Sequence, residues 1–474
     1  MGFRKRLLES PVVASFKDVY LEPSLSPVEP HQVKLDTQFS KNVRLRIPLS
    51  SSPMDTVTEL DMSVAMALHG GIGVVHRNMP AEHQLEIVRR VKSHPTVPLR
   101  TVYVELGEPC GRVLEVMRGE GVRQLPLLNG SGKLLGYVVF HEVAERCRNP
   151  AEPVLEELAR SLPVASLEGI EDAAKLVRQG QLDLVAVVGQ GGEYLGSIGL
   201  REALEEYEPA VDEEGRLLVA AAVSPFDRNR ALKLDRVADA LVSDVAHFHN
   251  KNVMEAARRL SREISSDFVI GNVGSYQAVA DAASLIEKID GVRAGVGGGS
   301  ICTTPLVAGS YSPTLWATAS ARDAVDELNL NAPVIADGGI RSPGDAVKAL
   351  AVGASSVMLG YALAGTDEAS APLLRVGGSL YKPYRGMASR GAMERRYAAD
   401  RYSRVSKRVE EGVEGLVPYR GPVSRVIREF VEALKAGLGY AGASSIPELW
   451  AKARLIRVTE PKDVGVKLRM REEA

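Results

Sequence analysis

Short apolar runs, many of them closed by glycine, punctuate this chain, and stretches with helical spacing separate them. Leu217–Val223, Ala240–Asp244, Phe268–Val273, Val292–Val296, Pro333–Asp337 and Ser355–Gly360 read as strands buried on both faces. Val253–Ile264 and Val279–Ile289, rich in Ala, Leu, Glu and Arg, read as helices between them. Uninterrupted apolar strands that alternate with helices predict a parallel sheet covered by helices, in the α/β class. Ile47–Ser52 and Ile72–Val75 follow the same strand-then-helix grammar and raise the count to eight. Eight is the number that closes a (β/α)8 TIM barrel, with an open doubly wound sheet as the rival.

The pattern breaks between the second and third runs. From about Thr96 to Pro209 two half-similar units follow each other about sixty residues apart. Val113-Leu-Glu-Val-Met-Arg, Gln124-Leu-Pro-Leu-Leu and Lys133-Leu-Leu-Gly-Tyr-Val-Val form the first, and Asp172-Ala-Ala-Lys-Leu-Val-Arg, Asp183-Leu-Val-Ala-Val-Val and Glu193-Tyr-Leu-Gly-Ser-Ile the second. Such a repeat predicts a paired module at 96–209, inserted in a barrel built from 1–95 and 210–474.

Composition narrows the function classes. Over 474 residues, 45% are hydrophobic and 25% charged, which is ordinary for a globular chain with an ample core. The net charge of −2 gives no whole-chain case for nucleic acid or an anionic membrane as partner. No run reaches the length of a membrane span, and Met1 to Arg6 carries charge without the apolar core of a signal peptide. Cys110, Cys147 and Cys302 are too few and scattered for a disulfide framework or a zinc site. The expectation is a cytoplasmic protein in a reducing compartment.

Barrel chemistry sits at the C-terminal strand ends, with phosphate often held after strands seven and eight. Here those ends read Ala336-Asp337-Gly338-Gly339 and Met358-Leu359-Gly360, where glycines admit an anion to backbone N–H groups and Asp337 can take ribose hydroxyls. Strand six ends Gly295-Val-Gly-Gly-Gly-Ser300-Ile-Cys302-Thr-Thr304. Its glycines can offer carbonyls to a cation, and Cys302 stands at the mouth as a candidate nucleophile. Cys110 and Cys147 have no such setting and read as structural. Tyr381 to Tyr419 is long, charged and weakly patterned, so it reads either as a solvated loop or as a flap over the site, the flap spanning about 388–416.

Gly-Gly-Gly-Ser-Ile-Cys-Thr-Thr (297–304), Ser-Ser-Pro-Met-Asp-Thr-Val-Thr-Glu (51–59), Gly-Gly-Ile-Gly-Val-Val-His (70–76), Ala-Asp-Gly-Gly-Ile-Arg (336–341) and Tyr-Arg-Gly-Met (384–387) occur in one order. Together they resemble the IMP dehydrogenase / GMP reductase family, archaeal members in particular, with an inserted pair of CBS modules. The resemblance implies a cytoplasmic homotetramer that oxidises inosine monophosphate (IMP) to xanthosine monophosphate (XMP) with NAD. Cys302 would form a covalent thioimidate, and Thr304, Arg401 and Tyr402 would complete the catalytic set, with the Arg-Tyr pair activating water. Ser300, Gly339 and Gly360 would hold phosphate, Asp337 the ribose, and Met387 with Glu411 the base, while Ser52, Met54, Tyr384 and Gly386 join the substrate set. Asp244, Asn272, Arg293 and Gly295 would face the cofactor, and the carbonyls of Gly297, Gly299 and Cys302 a potassium ion.

GMP reductase is the near alternative, using NADPH to deaminate GMP. Arg401-Tyr402 and the Glu-Gly-Val-Glu-Gly stretch (411–415) favour the dehydrogenase. Pro305, the segment Gly309 to Thr314, Tyr361, Ala388, Val245 and Arg390 depart from the family pattern, which keeps a non-catalytic purine-nucleotide binder as a third reading. In the CBS pair Glu142 and Glu202 stand where nucleotide-binding modules carry Asp, so weak purine nucleotide binding is the most expected there.

Overall fold

The computed structural model describes Arg4, residues 9–395, Tyr397 and residues 410–459. They divide into two compact units, Met1–His94 with Pro209–Ala474, and Pro95–Glu208.

In the first unit eight parallel strands close a barrel: β1 (Leu49–Ser51), β2 (Ile72–Val75), β3 (Val219–Val223), β4 (Ala240–Ser243), β5 (Asp267–Val273), β6 (Gly291–Ala294), β7 (Val334–Asp337) and β8 (Ser356–Leu359). β8 closes on β1, Val357 opposite Leu49, and β2 pairs directly with β3, Gly73 opposite Val219, across the insertion. All eight expected runs are strands, their ends within two residues of the expected ones.

Alternation explains why the runs are apolar throughout. Along β3, Ala220 and Ala222 pack inward with Ile72, Val74, Val242, Val269, Ile335 and Met358, whereas Val219, Ala221 and Val223 face the helices. Helices follow the strands: α1 (Leu60–Leu68), α2 (Ala81–Ser93), α3 (Arg228–Leu234), α4 (Lys251–Ser261), α5 (Tyr276–Leu285), α6 (Thr314–Glu327), α7 (Pro343–Ala351) and α8 (Val423–Tyr440). Side-chain oxygens of Asn250, Ser275 and Ser342 accept first-turn N–H groups and fix where α4, α5 and α7 begin.

The N-terminal mouth is plugged. A hairpin of Thr37–Gln38 with Arg44–Leu45 brings Phe39, Val43 and Leu45 into the barrel core. It is bolted to strand starts by Thr37 on the Ser355 carbonyl (2.7 Å) and by Ser40 and Asn42 on Asp267 (2.7 and 2.6 Å). Chemistry is left to the opposite mouth.

The weakly patterned stretch from Tyr381 to Tyr419 is not simply a loop. Ser379–Arg385 pairs antiparallel with Leu374–Val376 and with Glu414–Pro418, and a short helix, Arg390–Glu394, follows. Lys382 anchors this ribbon, its buried ammonium donating to the carbonyls of Thr366, Asp367 and Ala369 at 2.8, 3.0 and 2.7 Å. A Lys among aromatic and polar residues hides strand alternation, because its partner is main chain.

The second unit repeats itself. Gln124–Leu128, Leu134–Val139 and the helix Phe140–Arg146 recur as Leu184–Val188, Tyr194–Gly199 and Leu200–Leu204. Arg123 of one half holds Asp183 of the other through Nε and Nη2 at 2.9 and 2.8 Å. The buried Tyr137 hydroxyl donates to the Pro163 carbonyl (2.8 Å) and accepts from the Ala186 N–H (2.7 Å), and burial pushes its pKa up to about 12. Here the cysteine expectation needs correction: Cys110 and Cys147 form a disulfide, joining the start of the helix Cys110–Glu120 to the end of Phe140–Arg146. A spacing of 37 residues gave no hint that the two helices would meet.

Candidate active site

The cleft at the C-terminal mouth encloses about 1000 Å³ including its opening. Its walls are the residues just past the strands: Ser52 and Met54 after β1, Asn272 in β5, Gly295 to Thr304 after β6, Asp337 to Arg341 after β7, and Gly360 after β8. The ribbon closes one side with Tyr384, Gly386, Met387 and Glu411.

Two glycines make the close approach of these loops possible. Gly295 has φ +131°, and a Cβ there would overlap the Asp337 carbonyl. Gly339 has φ +73°, and its Cβ would meet the Gly298 oxygen at 2.7 Å. Neither position accepts an L side chain without moving a neighbouring loop.

Cys302 is the one free cysteine and is half-buried. Its Sγ lies 3.2 Å from Thr304 Oγ1, and that hydroxyl donates to Glu411 Oε2 at 2.8 Å. Main chain holds this chain of bonds in place, since Cys302 N–H donates to Gly299 O (3.1 Å) and Thr303 N–H to Glu411 O (3.1 Å). Glu411 is 3% exposed, so its carboxylate takes the Thr304 hydroxyl away from bulk water. The arrangement can carry the thiol proton to a carboxylate in two short steps.

Asp337 is aimed by two donors on one oxygen. Asn272 Nδ2 (2.8 Å) and Arg293 Nε (2.9 Å) both bind Oδ2, leaving Oδ1 without a partner among the described residues. Arg293 in turn meets Asp244 Oδ1 at 3.3 Å, and Arg77 holds Asp244 from the other side, Nη2 to its carbonyl at 2.9 Å. Asp244 is fully buried behind Arg293 and does not line the cleft, so its reach is through that arginine.

In the loop after β6 the Ser300 hydroxyl is buried in the cleft wall, close enough to the Tyr384 phenol for its contact to lower that group's pKa. Burial pushes the Tyr384 phenol up to about 12, so it stays neutral and able to donate. Tyr361 packs its ring 6.1 Å from that of Tyr384, with the Arg420 guanidinium 5.4 Å from its centre.

Every substrate, cofactor and cation position expected from sequence therefore lines this one cleft except Asp244, while Arg401 and Tyr402 lie outside the described residues. The departures from the pattern each have a place. Pro305 sits in the first turn of a short helix, Thr304–Val307, where a missing N–H costs nothing. Ser312 and Thr314 tie the altered segment to Gly274 O (2.6 Å) and Asp337 O (3.0 Å). Val245 and Ala388 are buried, their carbonyls accepting from Asn272 and Glu411, and Arg390 is exposed and pairs with Glu394. Sequence reasoning passed over Arg77, Arg341 and the pair Asp55–Arg385, although Asp55, Arg341 and Arg385 stand inside motifs it quoted.

Comparison with known proteins places the whole chain. Residues 13–464 match the family described as "IMP dehydrogenase / GMP reductase domain". An inosine-5′-monophosphate dehydrogenase of Korarchaeum cryptofilum is 43% identical over 453 residues, 94% of each chain. One of Thermoplasma acidophilum is 38% identical, covering 94% of this chain and 92% of that protein. Among solved structures, a GMP reductase of Trypanosoma brucei in complex with guanosine 5′-monophosphate superposes with a TM-score of 0.70 at 35% identity, covering 96% of this chain and 97% of that one.

Proposed function

Because this chain belongs to the IMP dehydrogenase / GMP reductase family, we propose that it oxidises IMP to XMP with reduction of NAD, through a thioimidate on Cys302. The observation that carries the reading is the hydrogen-bonded run from Cys302 through Thr304 to Glu411 inside a cleft that also holds Asp337 and Ser300. Phosphate is assigned to Ser300 Oγ, the backbone at Gly339 and Gly360, and the Tyr384 phenol. The ribose hydroxyls go to Asp337 Oδ1, and the base to the side of Met54, Gly386, Met387 and Glu411.

In the first step Cys302 Sγ bonds to C2 of the purine, its proton passes by Thr304 to Glu411, and C2 gives up a hydride. NAD, when bound, accepts that hydride. The wall of Ala246, Asn272, Val296 and Gly297 beside Cys302 fits a flat, weakly polar ring. Arg401 and Tyr402 are assigned to the second step, in which water adds to C2, the C–S bond breaks and XMP leaves. Neutral main-chain oxygens at Gly297, Gly299 and Cys302 suit a potassium ion, and Gly299 O keeps a second lone pair beside its bond from Cys302 N–H.

The enzyme is proposed to work as a cytoplasmic homotetramer, and among the described residues no helix is long and apolar enough to cross a membrane. The unit Pro95–Glu208 is proposed as a pair of CBS modules with at most weak affinity for purine nucleotides. Glu142 is held by Arg160 (2.9 Å) and Glu202 by the Gly199 N–H (3.0 Å), bonds with which a ribose would have to compete. The likeness to a GMP reductase structure supports the second reading, deamination of GMP with NADPH.

The test mixes the full chain with IMP and NAD in potassium buffer, follows NADH by absorbance, and weighs the quenched protein for an XMP adduct on Cys302. Continuous NADH formation is expected. Neither NADH nor adduct from protein that binds IMP overturns the dehydrogenase, and product from GMP with NADPH would then establish the reductase.

A further inference from the structure

We propose that Arg341 is the residue that reads the charge of the nucleotide phosphate, and so decides that this cleft takes a nucleoside monophosphate rather than a nucleoside. The inference rests on the functional reading above, because it needs a phosphate at the β7–β8 end of the cleft.

A 5′-phosphate brings a charge of about −2 at neutral pH, and the groups assigned to it are neutral: a serine, a phenol and backbone amides. Among the described residues two cationic side chains line the cleft, Arg293 and Arg341. Arg293 is 2% exposed and already matched by Asp337 and Asp244 at 2.9 and 3.3 Å. Its charge is spent.

The helix that follows β7 cannot make up the difference. At α7, the N–H groups of Arg341 and Ser342 both go to Asp345 Oδ2 (3.0 and 3.1 Å), Pro343 has none, and Asp345 N–H goes to Ser342 Oγ (3.3 Å). The first turn is thus largely closed upon itself, with a carboxylate where an anion would sit. Arg420 is no substitute, since it stacks against Tyr361 and does not line the cleft.

That leaves the Arg341 guanidinium. It follows Gly339 by two residues, is exposed at the cleft wall, and has no carboxylate partner among the described residues. A planar fork of donors suits a phosphate, and its exposed setting makes the contact sensitive to salt.

Calorimetric titration of the full chain with IMP, and with inosine as the uncharged probe, tests this at low and high salt. In the native protein IMP binds more tightly than inosine, and salt narrows the gap. Arg341→Gln should weaken IMP by about tenfold, flatten its salt dependence and leave inosine unchanged, while Arg341→Lys recovers most of the loss. Unchanged IMP affinity in Arg341→Gln overturns the inference, as does an equal loss for inosine. A native protein that prefers neither ligand overturns it too, with the function intact. A native protein that does not bind IMP at all overturns the functional reading itself.

Discussion

The Asp55 carboxylate takes two nitrogens of the Arg385 guanidinium, Nε at 3.0 Å and Nη2 at 2.6 Å. One residue belongs to the loop after β1 and the other to the ribbon, so this pair fixes the distance between two walls of the cleft. Asn78 adds a third bond to Asp55 at 2.8 Å, and the Asp55 N–H reaches Met387 Sδ at 3.4 Å.

Removing the cation should loosen both fold and site. Arg385→Met strands a buried carboxylate and is expected to cost about 3 kcal/mol, read by urea denaturation, together with a raised KM for IMP. Burial alone would raise the Asp55 pKa, but the bonds from Arg385 outweigh it and hold the acid below its ordinary value. A depressed carboxylate contributes stability that is fully present above the unfolded pKa near 4 and is lost as pH falls through the lower, folded one. The variant should therefore lose part of the native protein's acid limb below about pH 4; an unaltered limb would assign that limb to other carboxylates.

Thr304 stands between nucleophile and carboxylate, so its hydroxyl is the part to remove. Thr304→Val keeps the shape and breaks the proton path. The rate of the first NADH burst should fall by about a hundredfold, with IMP affinity nearly unchanged. A burst at the native rate would show that the Cys302 proton leaves by another route.

How far the sequence could be read follows from these particulars. Strands buried on both faces, such as Val219–Val223, announce themselves because every residue is apolar, and eight of them imply closure. Cys302, Asp337 and the glycines were legible because strand ends and Gly runs mark loops that must come close. The pairing of Asp55 with Arg385 was not, since 330 residues separate them and either charge alone reads as surface. Asp244 was placed at the cofactor, but its carboxylate points into a buried row of arginines that no local pattern reveals. The Tyr381 to Tyr419 ribbon hid because Tyr381 to Arg385 pair with Glu414 to Pro418, a segment about thirty residues further on.

The Cys110–Cys147 disulfide closes a loop of 37 residues within the unit Pro95–Glu208. In the chain-entropy account such a loop contributes about 4 kcal/mol. Scanning calorimetry with and without reductant should show the transition of this unit moving to lower temperature while that of the barrel stays. IMP turnover at moderate temperature should be unaffected, because neither cysteine lines the cleft. A barrel transition that moved as far would mean the two units unfold as one.

Lys92 makes a different kind of clasp, at the root of the insertion. Its ammonium, on the last turn of α2, meets Asp212 at 3.0 Å and Asp239 at 2.6 Å, so it ties the chain just before residue 94 to the chain just after residue 209. Lys92 is 8% exposed, and the pair of carboxylates it serves is nearly as hidden. Arg216 also reaches Asp212, at 2.8 Å, but nothing else cationic that is described touches Asp239. Lys92→Met should therefore cost about 3 to 5 kcal/mol, most of it from Asp239 left charged in a buried place. The double variant Lys92→Met, Asp239→Asn should recover much of that loss, because the stranded charge is gone. Equal destabilisation in the single and double variants, measured by denaturant midpoints, would mean that the ammonium acts by packing alone.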